Sequence, residues 1–191
     1  MKYKVIDNFL DEEYFESLGD LFTDKEKKGN NLVSRGYIKA EWYFQSSTVN
    51  AEVLKKQKKT ESESKFFYFV HVIYEHSRPI SNCYNNLLPL LEKLNVRCLL
   101  RIQVNLFPNT EILHEHPMHQ DYEFSNSTAL LSLNTCDGYT KLKDGTKIDS
   151  VANRILLFDS SEEHCSTTTT NDSPRININI NYIQEQFHEQ I

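Results

Sequence analysis

Residues 114–121 read HEHPMHQD, which places three of the chain's seven histidines and one aspartate within a single short stretch. Neutral imidazole nitrogens and a carboxylate oxygen are the donor set that divalent transition metals favour. In extended backbone, residues two apart point to the same side, so they can reach one ion together. His119 and Asp121 stand in that relation, and so do His114 and His116. The local spacing therefore leaves both pairs open as metal ligands.

The downstream chain discriminates between them. NRILLFDSSEEH reads as a strand and turn that deliver His164 after about four short strands, enough for an antiparallel chain to return to its starting point. Added to His119 and Asp121, His164 completes two histidines and one carboxylate on one face of a metal. This arrangement keeps positions open for small ligands and is the signature of non-haem Fe(II) oxygenases. RINININ follows. Its strict alternation puts Arg175, Asn177, Asn179 and Asn181 on one face and Ile176, Ile178, Ile180 and Tyr182 on the other. Asparagine is a poor strand residue, so three in register point to a polar interior that receives a charged organic acid. Arg175 has the forked guanidinium that grips a carboxylate, and RIQVN (101–105) offers Gln103 and Asn105 in the same manner.

Several elements must carry these residues. YKVIDNF predicts a short strand. DEEYFESLGDLF predicts a helix capped by Asp11, with Tyr14, Leu18, Leu21 and Phe22 inward. Residues 23–34 read as loop and GYIKAEWYFQSS as extended. Residues 51–65 lack apolar periodicity, as suits a solvated loop or a mobile cover over a site. FFYFVHVIY (66–74) reads as a buried strand in which His71 is a core residue. SRPISNCYNNLLPLLEKLN reads as a helix capped by Ser77 and bent or split at Pro89. From residue 97 on, RCLLRIQVNLF, TALLSLN, YTKL, TKID, NRILLF and RINININ are strands punctuated by two Asp-Gly turns. The expected class is α+β: a jelly roll, or double-stranded β-helix, with N-terminal helices packed on one sheet. The whole chain, 1–191, reads as a single domain, with 1–95 as helical support and cover and 97–182 as the jelly-roll core.

HQD, then FDSSEEH, then an arginine heading RIN resembles the 2-oxoglutarate- and Fe(II)-dependent oxygenase family in its prolyl-4-hydroxylase-like branch. The stretch from LNTCDGYTKL to RININ is similar to the short bacterial and phage members, and VIDNFLDEEYFESL resembles the family's strand-helix start. The resemblance implies His119, Asp121 and His164 as iron ligands and Arg175 on the far carboxylate of 2-oxoglutarate. It implies Asn105 and Asn177 as further cosubstrate contacts. It further implies an oxidoreductase that consumes O2 and couples decarboxylation of 2-oxoglutarate to oxidation, usually hydroxylation, of a substrate C–H. Tyr122, Glu123 and Tyr139 are candidate substrate contacts. PNTEILHEHPM departs from the family: it is longer than the usual approach to HxD and lacks its glycine, so the entrance is shaped differently and proline does not carry over as the substrate.

Composition sets outer bounds. The net charge of −6 disfavours a nucleic-acid partner, whose affinity comes from Lys and Arg. The amino terminus has no apolar signal-peptide core, and no apolar run reaches the roughly 18 residues of a membrane span. Cys83, Cys98, Cys136 and Cys165 form no CxxC pair and read as free thiols, consistent with a cytoplasmic protein acting on a small-molecule or peptidyl substrate. Two rival readings remain. One is a cupin-like β-sandwich metalloprotein using His114, His116 and His119. The other is a non-catalytic jelly-roll binding module without 2-oxoglutarate.

Overall fold

The computed structural model describes residues 2–23, 40–49, 65–171 and 174–184. The expected loop at 23–34 and cover at 51–65 lie, apart from Thr23 and Lys65, outside the described residues.

The first strand, β1 (Lys4–Ile6), leads into helix α1 (Glu12–Gly19). Asp11 starts that helix as expected: its Oδ1 accepts the Tyr14 N–H at 2.9 Å, and Glu12 and Glu13 place negative charge at the positive helix end. β2 (Tyr43–Gln45), β3 (Tyr68–Glu75) and β4 (Arg78–Pro79) follow. The helix expected over 77–95 begins later. His76 and Ser77 both take positive φ, 51° and 60°, in the turn that joins β3 to β4, so Ser77 caps nothing. A 3₁₀ turn spans Tyr84–Leu87, and α2 (Leu88–Lys93) begins there, with Pro89 in its first turn. A missing N–H costs nothing at that position. The leucine spacing that suggested one long helix comes from these two short pieces facing one core.

The second half is β5 (Val96–Phe107), β6 (Ser127–Ser132), β7 (Tyr139–Leu142), β8 (Lys147–Asp149), β9 (Ile155–Asp159), β10 (His164–Ser166) and β11 (Arg175–Gln184). A large antiparallel sheet runs in the order β1-β9-β6-β11-β5-β3-β2, with β4 on β3. A smaller sheet runs β10-β7-β8, and single bridges from Asn109, Glu115 and His119 to Thr169, Thr167 and His164 lay the 109–119 segment along its β10 side. Two sheets joined by strands that cross repeatedly between them make a jelly roll.

The alternation of β11 sets what each face of the large sheet meets. Ile176, Ile178, Ile180 and Tyr182 join Ile102, Val104, Ala129, Leu131 and Ile155 in one buried cluster, together with Phe15 and Leu18 of α1 and Leu90 and Leu91 of α2. The opposite face carries Arg175 and the three asparagines. His71 lies on the apolar side as a core residue, with Nδ1 2.8 Å from the Glu41 carbonyl and Nε2 2.7 Å from Ser81 Oγ. All four cysteines are free thiols, and among the described residues no helix is long and apolar enough to cross a membrane.

Asn153 ties the amino-terminal segment to this core. It sits at φ 61°, a conformation asparagine tolerates better than most residues. Its Oδ1 accepts the Leu10 N–H and its Nδ2 donates to the Leu10 carbonyl, both at 2.8 Å and both buried. Asn153→Ala removes both partners and keeps the strained φ. A stability loss of about 2–4 kcal/mol is expected in urea unfolding; an unchanged midpoint would show that the tie carries no weight.

Candidate metal centre

The start of β10, an isolated bridge beside it and the bend that follows build the centre. The bridge between residues 119 and 164 exchanges both backbone hydrogen bonds, His119 N–H to His164 C=O and the reverse, each at 2.9 Å. The two imidazoles are thereby set side by side, their centroids 4.5 Å apart. Asp121, two residues on, is anchored by its own N–H to the Ser160 carbonyl at the end of β9, at 3.0 Å. One donor atom from each of His119, Asp121 and His164 lies within 4.8 Å of the others, and among the described residues no other group of three His, Cys, Asp or Glu does so.

Each of the three side chains has a second polar atom already engaged. His119 Nδ1 stands 3.3 Å from the Pro117 carbonyl and His164 Nδ1 3.1 Å from the Glu162 carbonyl. A proton on Nδ1 in both rings leaves each Nε2 with a lone pair for an ion. Burial, reinforced by the positive charge His164 would carry, pulls the His119 pKa down to about 4, so its imidazole is neutral at pH 7. Asp121 Oδ2 accepts from Asn179 Nδ2 at 3.1 Å and Asn181 Nδ2 at 2.9 Å. Its Oδ1 faces His119 Nε2 at 3.9 Å and Arg101 Nη2 at 3.2 Å. Burial alone would raise the Asp121 pKa. Coulombic attraction to His164, Arg101 and His119, with the Asn181 hydrogen bond, outweighs it and holds the carboxyl well below its ordinary range. A carboxylate and two imidazoles converging on one point can bind a divalent cation.

The cavity in front of these groups has a volume of about 240 Å³. Arg101, Gln103, Asn105 and Phe107 of β5 line it, with Tyr68, Thr48, Leu130, Ser166 and Asn179. Gln103 Nε2 donates to Asn105 Oδ1 at 3.0 Å, and Asn105 Nδ2 donates to Asn177 Oδ1 at 3.1 Å. The polar row read from RIQVN and RINININ is therefore continuous across two paired strands.

Arg175 is 1% exposed. Its Nη2 donates to Thr140 Oγ1 at 2.9 Å, Nη1 lies 3.4 Å from the Thr167 carbonyl, and Nε is buried without a hydrogen-bond partner among the described residues. No carboxylate pairs with it among the described residues. Gly138 gives it room: a Cβ there would lie 2.7 Å from Arg175 Cδ. The guanidinium does not line the cavity; it lies 5.4 Å from the ring centroid of Phe107, which does.

The remaining expected residues fall elsewhere. His116 is 0% exposed among the rings of Phe66, Tyr68 and Phe107, and neither it nor His114 joins the three-ligand group. Tyr139 is not brought to the cavity: its hydroxyl bonds Glu115 Oε1 at 2.7 Å and accepts from Lys147 Nζ at 2.8 Å. Tyr122 lies beside the site, its ring 5.7 Å from the Arg101 guanidinium, and Glu123 is exposed. Sequence reasoning passed over Arg101, Tyr68 and Thr48. The alternation of RIQVN puts Arg101 on the same face as Gln103 and Asn105, a signal that was available; the other two carry no local mark.

No protein-family model and no curated protein matches the chain. Solved structures do. An oxidoreductase of the 2OG-Fe(II) oxygenase family from Burkholderia pseudomallei aligns over 96% of this chain and 86% of its own, with a TM-score of 0.62 at 10% identity. The non-heme alpha-ketoglutarate-dependent epimerase SnoN of nogalamycin biosynthesis aligns over 95% and 77%, at 0.57 and 14%. A prolyl hydroxylase from Trichoplax adhaerens, solved with a hypoxia-inducible-factor peptide, aligns over 95% and 83%, at 0.56 and 16%. At such identities the shared property is the fold: this chain has the jelly-roll fold of the 2-oxoglutarate Fe(II) oxygenases.

If Asn181 holds the carboxylate of Asp121 in its ligating orientation, Asn181→Ala weakens divalent-metal binding by roughly 10–100-fold, the usual effect of losing such an outer partner. Titration with Mn(II) checks this, and an unchanged affinity would contradict it.

Proposed function

We propose that the chain is a 2-oxoglutarate-dependent dioxygenase in which His119, Asp121 and His164 hold Fe(II). In this reading Arg175 receives the distal carboxylate of 2-oxoglutarate, with Asn105 and Asn177 as polar neighbours of the cosubstrate. The observation that carries it is the pairing of a converging His-Asp-His group with a buried arginine that lacks a carboxylate partner among the described residues. An unpaired buried charge costs several kcal/mol, and a dianionic ligand offsets that cost. The donor set fits iron: two imidazoles and one carboxylate on one side leave room for a chelating 2-oxo acid and O2. When bound, iron and 2-oxoglutarate supply the oxidative decarboxylation that yields succinate and CO2 and the oxidising power that breaks a substrate C–H bond.

The chain's own residues orient and exclude. The backbone bridge between His119 and His164 fixes both imidazoles before any ligand arrives. Asn179 and Asn181 fix the carboxylate plane of Asp121, leaving Oδ1 toward the ion. Thr140 and the Thr167 carbonyl aim the guanidinium of Arg175. Phe107, which lines the cavity, packs its ring against that guanidinium. Tyr122 and the cavity mouth form the approach for a small-molecule or peptidyl substrate whose C–H is oxidised, with hydroxylation as the expected outcome.

The separation of the HEH pair from the ligand group argues against a cupin-like use of His114 and His116. Anaerobic addition of Fe(II) and 2-oxoglutarate should produce the weak visible charge-transfer band of the chelate, and admitting O2 should release succinate. Replacing His119, Asp121 or His164 by alanine should abolish the band, whereas His114→Ala should retain it. A band that survives loss of the triad, or that disappears only with His114, would refute the ligand assignment.

A further inference from the structure

Arg101 is an arginine that lines the cavity itself, and the iron and cosubstrate do not account for it. It projects from β5 on the inner face, beside Gln103, and lines the cavity with Thr48 and Tyr68. Its Nε donates to Asn181 Oδ1 at 3.1 Å, and the same asparagine's Nδ2 donates to Asp121 Oδ2. One end of the guanidinium is therefore held by the sheet. The other end, Nη2, lies 3.2 Å from Asp121 Oδ1 but is buried without a hydrogen-bond partner among the described residues. Among the described residues Asp121 is the carboxylate paired with it.

Charge balance makes that pairing insufficient in a loaded site. A divalent cation, the Asp121 carboxylate, a dianionic 2-oxo acid and the Arg175 guanidinium together come to neutrality. Arg101 is left over. A cation bound at Asp121 Oδ1 also claims the oxygen that now attracts Arg101, and like charges at short range in a poorly hydrated site repel strongly. The guanidinium then needs an anion from the cavity side. The cavity offers one more unpaired donor, Thr48 Oγ1, a buried hydroxyl with no hydrogen-bond partner among the described residues.

We propose that Arg101 is the specificity-determining residue that recognises a singly charged oxyanion on the substrate, such as a carboxylate or sulfonate, with Thr48 as an auxiliary donor. The substrate is then an anionic molecule, or a peptide presenting an acidic group, oxidised at a carbon near that group. This rests on the iron and 2-oxoglutarate reading above.

The test uses methanesulfonate, a monoanion that ligates metals poorly, against dimethyl sulfone, its neutral counterpart. Each is titrated into the full chain loaded anaerobically with Fe(II) and 2-oxoglutarate, and the charge-transfer band is followed. Wild type should show a saturable band shift with methanesulfonate, without bleaching, and none with the sulfone. Arg101→Gln, which keeps a donor for Asp121, should show the band with the anion response weakened roughly tenfold or more, as expected for loss of a charge-assisted hydrogen bond. Arg101→Lys should recover part of it. A wild-type band with no anion response overturns this inference alone, as does an equal response in Arg101→Gln. Loss of the band itself in Arg101→Gln assigns the residue to holding Asp121 and also overturns it. Absence of the band in wild type overturns the iron reading and this inference together.

Discussion

A carboxylate almost wholly withdrawn from water must be met by hydrogen bonds and positive charge, and the placement of Asp121 follows from that requirement. Its side chain is 4% exposed. Two asparagine amides satisfy one oxygen, and Arg101 and the imidazoles surround the other. Without the asparagine amides and some cation beside it the group would protonate or turn outward, and a protonated carboxyl is a poor ligand for a cation. The three asparagine and arginine side chains come from β5 and β11, the most extensively paired strands in the molecule.

That dependence explains why the jelly roll is built around β11. One face supplies Ile176, Ile178 and Ile180 to the apolar core, and the other is buried too, so a slip by one residue would turn asparagine into the apolar core and isoleucine onto the polar face. The fixed register sets Asn179 and Asn181 opposite Gln103 and Arg101, and Arg175 opposite Phe107. The small sheet then closes over this face. β10 brings His164 to His119, and β7 brings Thr140 to Arg175. The energy that packs the core thus also holds these polar groups at a fixed spacing.

Much of this was legible in the sequence because alternation is a strong signal. The face shared by Arg175, Asn177, Asn179 and Asn181 and the capped helix after Asp11 follow from local spacing, and the structure reproduces both. The meaning of the asparagines was only half legible. A polar interior for an organic acid was expected, but Asn179 and Asn181 serve Asp121 instead, a contact across some 60 residues that no local pattern encodes. The helix expected from Ser77 failed for a related reason. Leucines of a 3₁₀ turn and a short helix that share one core mimic the spacing of a single helix, while the left-handed turn at His76 and Ser77 leaves no compositional mark. Tyr68 and Thr48 reach the cavity only through tertiary packing.

The central claim is that one cation sits among His119, Asp121 and His164, and not at the HEH pair. Anomalous diffraction above the iron edge, from crystals grown and loaded with Fe(II) in the absence of oxygen, addresses it directly. The expected result is one peak within about 2.0–2.2 Å of an imidazole nitrogen of His119, one of His164 and a carboxylate oxygen of Asp121, distances usual for first-row metals on these donors. A peak on His114 or His116, or none at the triad in fully loaded crystals, would contradict the account.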